Sequence, residues 1–272
     1  MSEFAKKRIW GPEPRYPLVE SYQRESWRDT YIAGPCSLES EAQIYKMAGI
    51  IKGAGATHLR SGVFRAGTYP GKSFGYIEME LINHYYLAAK MNGLKNIIEV
   101  LDYSDESLDL IEPFCDCFQV GARSMQNYSL LRKLGRYGKR VFLKRAAGAT
   151  IDEFLGAAEH LLVGGVKEVT LIERGGSSIH SHVRWDLSIS IIPAIKQLSQ
   201  IPILVDASHG TGRRDLVPSM TLAGIAAGAD GALIEVHETP EKSLSDSEQA
   251  ITPEIFKVLM KKIKAVRSAI ND

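Results

Sequence analysis

Residues 201–237 read IPILVDASHGTGRRDLVPSMTLAGIAAGADGALIEVH, and the reading of this stretch decides the fold. Ile203–Asp206 is a short apolar run of strand type, Asp215–Ala227 carries a longer helical period, and Ala232–Val236 is a second strand-like run. Both runs are apolar on consecutive residues rather than alternate ones, which suits strands of a parallel sheet with helices packed over it. Parallel neighbours need a crossover between them, and a helix of this length supplies one.

Outward from this unit, the same alternation extends in the N-terminal direction. Further strand-like runs are Tyr31–Ala33, His58–Val63, Asn96–Leu101, Cys117–Gly121, Arg140–Lys144 and Glu168–Glu173. Between and after them lie amphipathic stretches at Glu41–Lys52, Ile77–Met91, Glu106–Phe114, Tyr128–Tyr137, Ile151–Val163, Leu187–Leu198 and Pro253–Ile270. Eight strand–helix units in 272 residues match a (β/α)₈ TIM barrel of the α/β class. The alternative is a doubly wound open sheet, but no GxGxxG opens a helix after the first strand. The domain reading is an N-terminal extension over 1–30, followed by one barrel domain over 31–272.

A net charge of +1 argues against an extended nucleic-acid surface while leaving room for a local cationic pocket. Three cysteines in a chain this long do not form a disulfide framework, so a reduced, cytoplasmic setting is expected. The opening MSEFAKKRIWGPEPRYP has no apolar signal-like run, and no later run is long enough to span a bilayer, so no membrane partner is expected.

In such barrels the loops leaving the C-terminal strand ends build the active site. Here those ends carry Gly34-Pro35-Cys36-Ser37, Arg60 with Arg65, Glu99-Val100-Leu101-Asp102, Gly121-Ala122-Arg123, Lys144-Arg145, Glu173-Arg174-Gly175-Gly176, Asp206-Ala207-Ser208-His209 and Glu235-Val236-His237. One charged strand end is explained by contact with water; charges at nearly every end imply a site. Cys36, His209 and Glu235 lie on strands one, seven and eight, which adjoin when a barrel closes. With Asp246 on the last βα loop they make an S/N/O/O set suited to a divalent Mn, Fe, Co or Zn ion. Taken singly, Cys36 reads as a small buried hydrophobe and His209 as a satisfied strand-end histidine. Arg60, Arg123, Lys144 and Arg174, with Arg65 and Lys72 nearby, form a second, cationic group that fits a small polyanionic substrate.

The stretches IAGPCSLES (32–40), EVLD (99–102), QVGARSMQN (119–127), LKR (143–145), ERGG (173–176), VDASHGTGRRDLV (205–217), AAGADGALIEVHETPEKSLSD (226–246) and ITPEIF (251–256) resemble 3-deoxy-D-arabino-heptulosonate 7-phosphate (DAHP) synthases of the short, unregulated microbial type. The resemblance implies a metal-dependent transferase that condenses phosphoenolpyruvate with erythrose 4-phosphate, giving DAHP and phosphate at the first step of the shikimate pathway. It implies the metal ligands Cys36, His209, Glu235 and Asp246, and a homodimer or homotetramer. By the same match Arg123, Lys144 and Arg174 hold phosphoenolpyruvate, Arg60 lies between the substrates, and Asp206 lies beside the metal. Catalytic roles fall on Cys36, Lys144, Asp206 and His209; substrate contacts extend to Arg65, Thr68, Lys72, Asp102, Gln119, Gly121 and Ala122.

The chain departs from the family where Lys-Pro-Arg-Thr usually follows strand two and Arg65-Ala66-Gly67-Thr68 stands instead. It departs again at 173–186 and at Ala207, usually proline. These departures fall on the acceptor side. Three other readings therefore compete: a related synthase using arabinose 5-phosphate, like KDO 8-phosphate synthase; a non-catalytic phosphoenolpyruvate-binding barrel; and a Schiff-base aldolase built on Lys144. Cys115, Cys117, His58, His84 and His160 read as structural, His237 as a neighbour of the metal set, and Gly210–Arg214 as a weak phosphate-binding loop.

Overall fold

The structure, a computed structural model, describes residues 16–23, 29–63, 79–100, 104–179 and 181–271. Arg65, Thr68, Lys72 and Asp102 lie outside the described residues. Eight strands close in sequence order into a barrel, every neighbouring pair parallel. They are β1 (Thr30–Gly34), β2 (His58–Arg60), β3 (Lys95–Val100), β4 (Cys117–Val120), β5 (Arg140–Lys144), β6 (Val169–Glu173), β7 (Ile203–Val205) and β8 (Gly231–Glu235).

A short helix, α1 (Pro17–Ser21), precedes β1. The helices between strands are α2 (Glu41–Ala54), α3 (Met79–Met91), α4 (Asp105–Ile111), α5 (Tyr128–Leu134), α6 (Ile151–Val163), α7 (Ile191–Leu198), α8 (Ala207–Thr211) and α9 (Val217–Ala226). The last helix, α10 (Pro253–Asn271), follows β8. Local signals set many of these ends. Ser40 caps α2, which stops at the left-handed Gly55, and Thr150 with Glu153 forms a capping box at the start of α6. The helix expected over Glu106–Phe114 gives way after Ile111 to a 3₁₀ turn containing Pro113. The one expected from Leu187 begins only at Ile191, because Asp186 is bonded both ways to Gly176 in an antiparallel bridge.

The described part of the N-terminal extension packs at the barrel's bottom edge. The Leu18 and Val19 amides donate to the Glu159 carboxylate on α6, and Ser199 Oγ donates to Val19 O.

Period-two alternation sorts the strand residues. Outward residues such as Ala33, Leu59, Ile98, Val120, Leu143, Leu171, Val205 and Ile234 pack against the helices. Inward residues Ile32, Ile97, Cys117, Phe142, Ile172, Leu204 and Leu233 fill the barrel as a separate apolar layer. Two residues further along most strands come Glu99, Gln119, Lys144, Arg174, Asp206 and Glu235, which therefore stand above that layer at the C-terminal mouth.

Beneath the layer, His58 sets its ring 5.5 Å from Phe142, and the Arg140 guanidinium lies 4.7 Å from the same ring. Burial, and then Arg140 and Lys95, push His58 down to about 3. An unfolded histidine titrates near ~6.5. The unfolded chain thus takes up this proton first, and stability is full above about pH 6.5 and falls as the pH drops toward about 3. At ~1.36 kcal/mol per unit, this residue alone removes about 2 kcal/mol by about pH 5. Urea unfolding of His58→Gln should show a correspondingly flatter dependence between about pH 7 and 5; parallel curves for the two proteins would refute this assignment.

Cys115 and Cys117 are buried free thiols: Cys115 Sγ donates to Cys117 O at 2.8 Å, and burial pushes the Cys117 thiol up to about 12.

Candidate active site

The mouth is built from β1, β2, β7 and β8 on one side and β3, β4, β5 and β6 on the other. Cys36, Glu235 and Asp246 offer ligand atoms that all lie within 4.8 Å of one another. Burial, and then the negative charge of Glu235, push the Cys36 thiol well above its ordinary value, and its Sγ donates to Asp246 Oδ2 at 3.0 Å. A cation bound here would displace that proton, since the thiolate is the ligand.

His209 joins through Glu235, with Nε2 3.2 Å from Glu235 Oε1, and lies outside the tight trio. Its other ring nitrogen is 2.8 Å from Asp206 Oδ2, which fixes the ring and leaves Nε2 toward the cluster. Among the expected ligands, then, three meet directly and the fourth borders one of them. Two carboxylates and a thiol packed together repel as they ionise. In the protein Arg60 offsets this, donating through Nη1 to Glu235 Oε1 at 2.7 Å and to Pro35 O at 3.2 Å. Burial opposes the charge on Arg60, but Glu235 and then Cys36 outweigh it and raise its pKa above the ordinary guanidinium value. The remaining Glu235 oxygen accepts from Gln249 Nε2 at 2.7 Å. Sulfur, nitrogen and oxygen donors gathered in a half-buried cleft fit a borderline divalent transition metal.

The cationic half begins with Lys144, whose Nζ is 3.1 Å from Asp206 Oδ2 and 3.5 Å from His209 Nδ1. Burial would raise the Asp206 pKa, yet His209 and Lys144 hold that carboxyl well below the usual carboxylate range. Asp206 is therefore an ionised link between the metal-type cluster and Lys144. Arg174 stacks its guanidinium 5.1 Å from the Trp185 ring centre, and burial lowers its pKa. Arg123 is exposed on the 3₁₀ turn Ala122–Ser124 that follows buried Gly121. Gln119 turns inward and donates through Nε2 to Glu99 Oε2 at 2.7 Å. A Cβ at Gly121 would sit 2.2 Å from Glu99 Oε1, so glycine is what leaves room for that carboxylate.

Some strand-end charges are not part of the mouth. Arg145 Nε and Nη2 donate to Glu173 at 2.5 and 2.9 Å, and Nη1 donates to Ala149 O at 2.9 Å. Glu173 also accepts the Gly175 amide at 2.9 Å. The pair faces away from the cavity, because Lys144 and Ile172 take the inward positions. Its effect on the site is indirect: it folds the chain back immediately after Arg174, through Gly175 at φ +90°.

The expected run of strand into Asp206–His209 is also revised, and Gly210–Arg214 spans the end of a short helix, its left-handed stop and the residues leading to the next helix. β7 ends at Val205, Asp206 caps α8 by accepting the His209 amide at 3.0 Å, and Gly212 closes α8 in the left-handed region. Asp206 and His209 face each other across that single turn, a relation with a readable signal: Asp at an N-cap three residues before a histidine.

A closed parallel barrel with lysine, arginines and a sulfur–nitrogen–oxygen donor set at its C-terminal mouth is a (β/α)₈-barrel enzyme of anionic-substrate type. The model of the DAHP synthetase I family matches residues 26–271, and the chain belongs to that family. A phospho-2-dehydro-3-deoxyheptonate aldolase of Thermotoga maritima is 39% identical over 242 residues, covering 89% of this chain and 71% of that protein. The crystal structure of the Thermotoga maritima DAHP synthase superposes with a TM-score of 0.85 at 38% identity, over 90% of this chain and 71% of that one. A truncated form of the Thermotoga maritima synthase gives a TM-score of 0.82 at 38% identity, over 90% and 88% of the two chains. A 2-dehydro-3-deoxyphosphooctonate aldolase of Koribacter versatilis is 24% identical over 264 residues, covering 88% of this chain and 91% of that protein.

Proposed function

We propose that this enzyme condenses phosphoenolpyruvate with erythrose 4-phosphate, giving DAHP and phosphate, with a divalent metal held by Cys36, His209, Glu235 and Asp246. The observation that carries the proposal is the direct chain of contacts from Cys36–Asp246 through Glu235, His209 and Asp206 to Lys144. One cavity thus offers a site for a Lewis-acid cation beside a lysine and arginines for an enol phosphate. When bound, the metal supplies Lewis acidity at the aldehyde oxygen.

Lys144, Arg174 and Arg123 bind the phosphate and carboxylate of phosphoenolpyruvate and hold its C3 against the aldehyde carbon. The new bond joins those two carbons, and a water oxygen adds at C2 and becomes the keto oxygen as the C2–O bond to phosphate breaks; one water proton leaves with the phosphate and the other returns to Lys144 in exchange for the one it gives to the aldehyde oxygen. The same cations stabilise charge as it gathers on the departing phosphate. Lys144 Nζ, held against Asp206, is placed to give a proton to the oxygen formed from the aldehyde. Gln119, Gly121 and Ala122 line the donor side, and Arg60 separates the substrates. In this reading Arg65, Thr68, Lys72 and Asp102 serve the acceptor. The enzyme works as a homo-oligomer in the cytoplasm, where Cys36 stays reduced; among the described residues no helix is long and apolar enough to cross a membrane.

Erythrose 4-phosphate is preferred as acceptor because the 39% identical relative bears the heptonate name, while the octonate relative is 24% identical. Phosphate release from phosphoenolpyruvate with each aldose tests this. The expected kcat/KM for erythrose 4-phosphate exceeds that for arabinose 5-phosphate by at least about tenfold, or ~1.4 kcal/mol. The reverse ratio would make the chain an octulosonate synthase. Absence of release with either sugar would leave a binding barrel, and borohydride trapping on Lys144 would identify a Schiff-base aldolase.

A further inference from the structure

Outside the ring of proposed ligands, two loops are stapled together by one carboxylate. Cys36 lies on the loop after β1 and Asp246 on the loop after β8, so their meeting depends on how those two loops are held. Glu39, three residues beyond Cys36, reaches across. Its Oε1 accepts the Leu244 amide at 2.9 Å and lies 3.5 Å from Ser243 Oγ. Its Oε2 accepts from Gln43 Nε2 at 3.0 Å and lies 3.3 Å from His237 Nε2. The Thr239 amide donates to His237 Nδ1 at 3.0 Å, which places the ring proton on Nε2; that nitrogen also lies 3.0 Å from Gln43 Nε2, so Glu39 Oε2 is the acceptor that both side chains face. Ser37 and Ser245 add a close hydroxyl pair between the same loops, and Ser243 Oγ also donates to Ser245 O at 2.7 Å.

This staple ends one residue before a strained position. Asp246 has φ +49°, one of two described non-glycine residues at positive φ. A side-chain-bearing residue stays in the left-handed region only when its surroundings hold it there. The Glu39 and His237 side chains are 18% and 7% exposed, so water competes little for these bonds.

We propose that Glu39 is a positioning residue for the metal site: it locks Ser243–Ser245 against the Cys36 loop and thereby presets the Cys36–Asp246 spacing that the cation requires. The inference rests on the metal reading above. No role in touching substrate is assigned to Glu39. Gln43 and His237 act with it, by fixing the orientation of its carboxylate.

The test uses the full-length metal-free protein and Co²⁺ alone, read by the thiolate-to-cobalt charge-transfer absorption and by the dissociation constant. Glu39→Ala is expected to bind Co²⁺ about 10- to 100-fold more weakly, with a diminished charge-transfer band. Glu39→Gln keeps the shape and leaves one acceptor oxygen, but faces the Gln43 and His237 donors with an NH₂ group. It should fold normally and show a smaller loss, and it alone decides if the alanine variant does not fold. A merely structural staple would lower the melting temperature without moving Co²⁺ affinity in the folded protein. Wild-type affinity and an unchanged band in folded Glu39→Gln would overturn the proposal. Absence of the band in the unaltered protein would remove the metal reading itself, and the proposal with it.

Discussion

Cys36→Ala protein is expected to fold as a barrel, to bind substoichiometric metal, and to lose more than about 100-fold of its metal-supported turnover. The thiol is the one soft donor in the proposed set, and its removal leaves the Glu235 and Asp246 oxygens with the His209 nitrogen, a three-ligand set that holds a borderline transition metal more weakly. The fold should tolerate the change. Cys36 sits on a loop, its thiol makes one described hydrogen bond, to Asp246, and the Gly62 amide that donates to its carbonyl is unaffected by loss of the side chain. The loss of stability should be about 1 kcal/mol or less. Metal analysis after exhaustive dialysis, together with turnover at saturating Mn²⁺, checks both halves. Normal turnover by the variant after metal depletion would refute the role of Cys36 as a ligand.

Gly231→Ala should do the opposite, damaging the fold rather than the chemistry alone. Gly231 pairs with Thr30 where β8 meets β1, and a Cβ there would lie 1.8 Å from Thr30 O. The obstacle is backbone, which cannot rotate away, so the two strands must part at the seam that closes the barrel. The expected loss is about 3 kcal/mol or more, read as a lower urea midpoint or as insoluble protein. Gly53→Ala is the matched control: it lies in α2 with nothing within 4 Å of the added carbon. That change should stabilise by roughly 0.5–1 kcal/mol through helix propensity. Equal midpoints for Gly231→Ala and the unaltered protein would show that the seam can open without penalty.

Much of this architecture was legible in residue order. Short runs apolar on both faces, each followed by a helical period, leave few folds open once they recur eight times, and the structure closes them into the expected barrel. The adjacency of strands one, seven and eight follows from closure itself. For that reason residue order alone groups Cys36, His209 and Glu235, with Asp246 on the last loop, and Cys36, Glu235 and Asp246 do meet. Strand limits shifted by a residue or so, and β2 ended at Arg60 rather than Val63.

Other features were invisible in the linear pattern. Arg145 and Glu173 look like two more strand-end charges, yet they bind each other outside the mouth. Asp206 and His209, by contrast, carry a local signal, an N-cap aspartate three residues before a histidine, and face each other across one turn of α8. Glu39 sits amid a recognisable motif, but its partners at 237–244 are some two hundred positions away in the chain.

The sequence by itself determined the (β/α)₈ class, the inward period along each strand and the chemical types gathered at one end, because these depend on local periodicity and on closure. Only the tertiary structure decided which inward charges neutralise one another, that His209 borders the trio through Glu235, and that Asp246 is held at positive φ beside Cys36. Those outcomes depend on ångström-scale contacts between loops distant in sequence. Hydrogen-bond and Coulomb energies change steeply over such distances, whereas residue patterning does not register them at all.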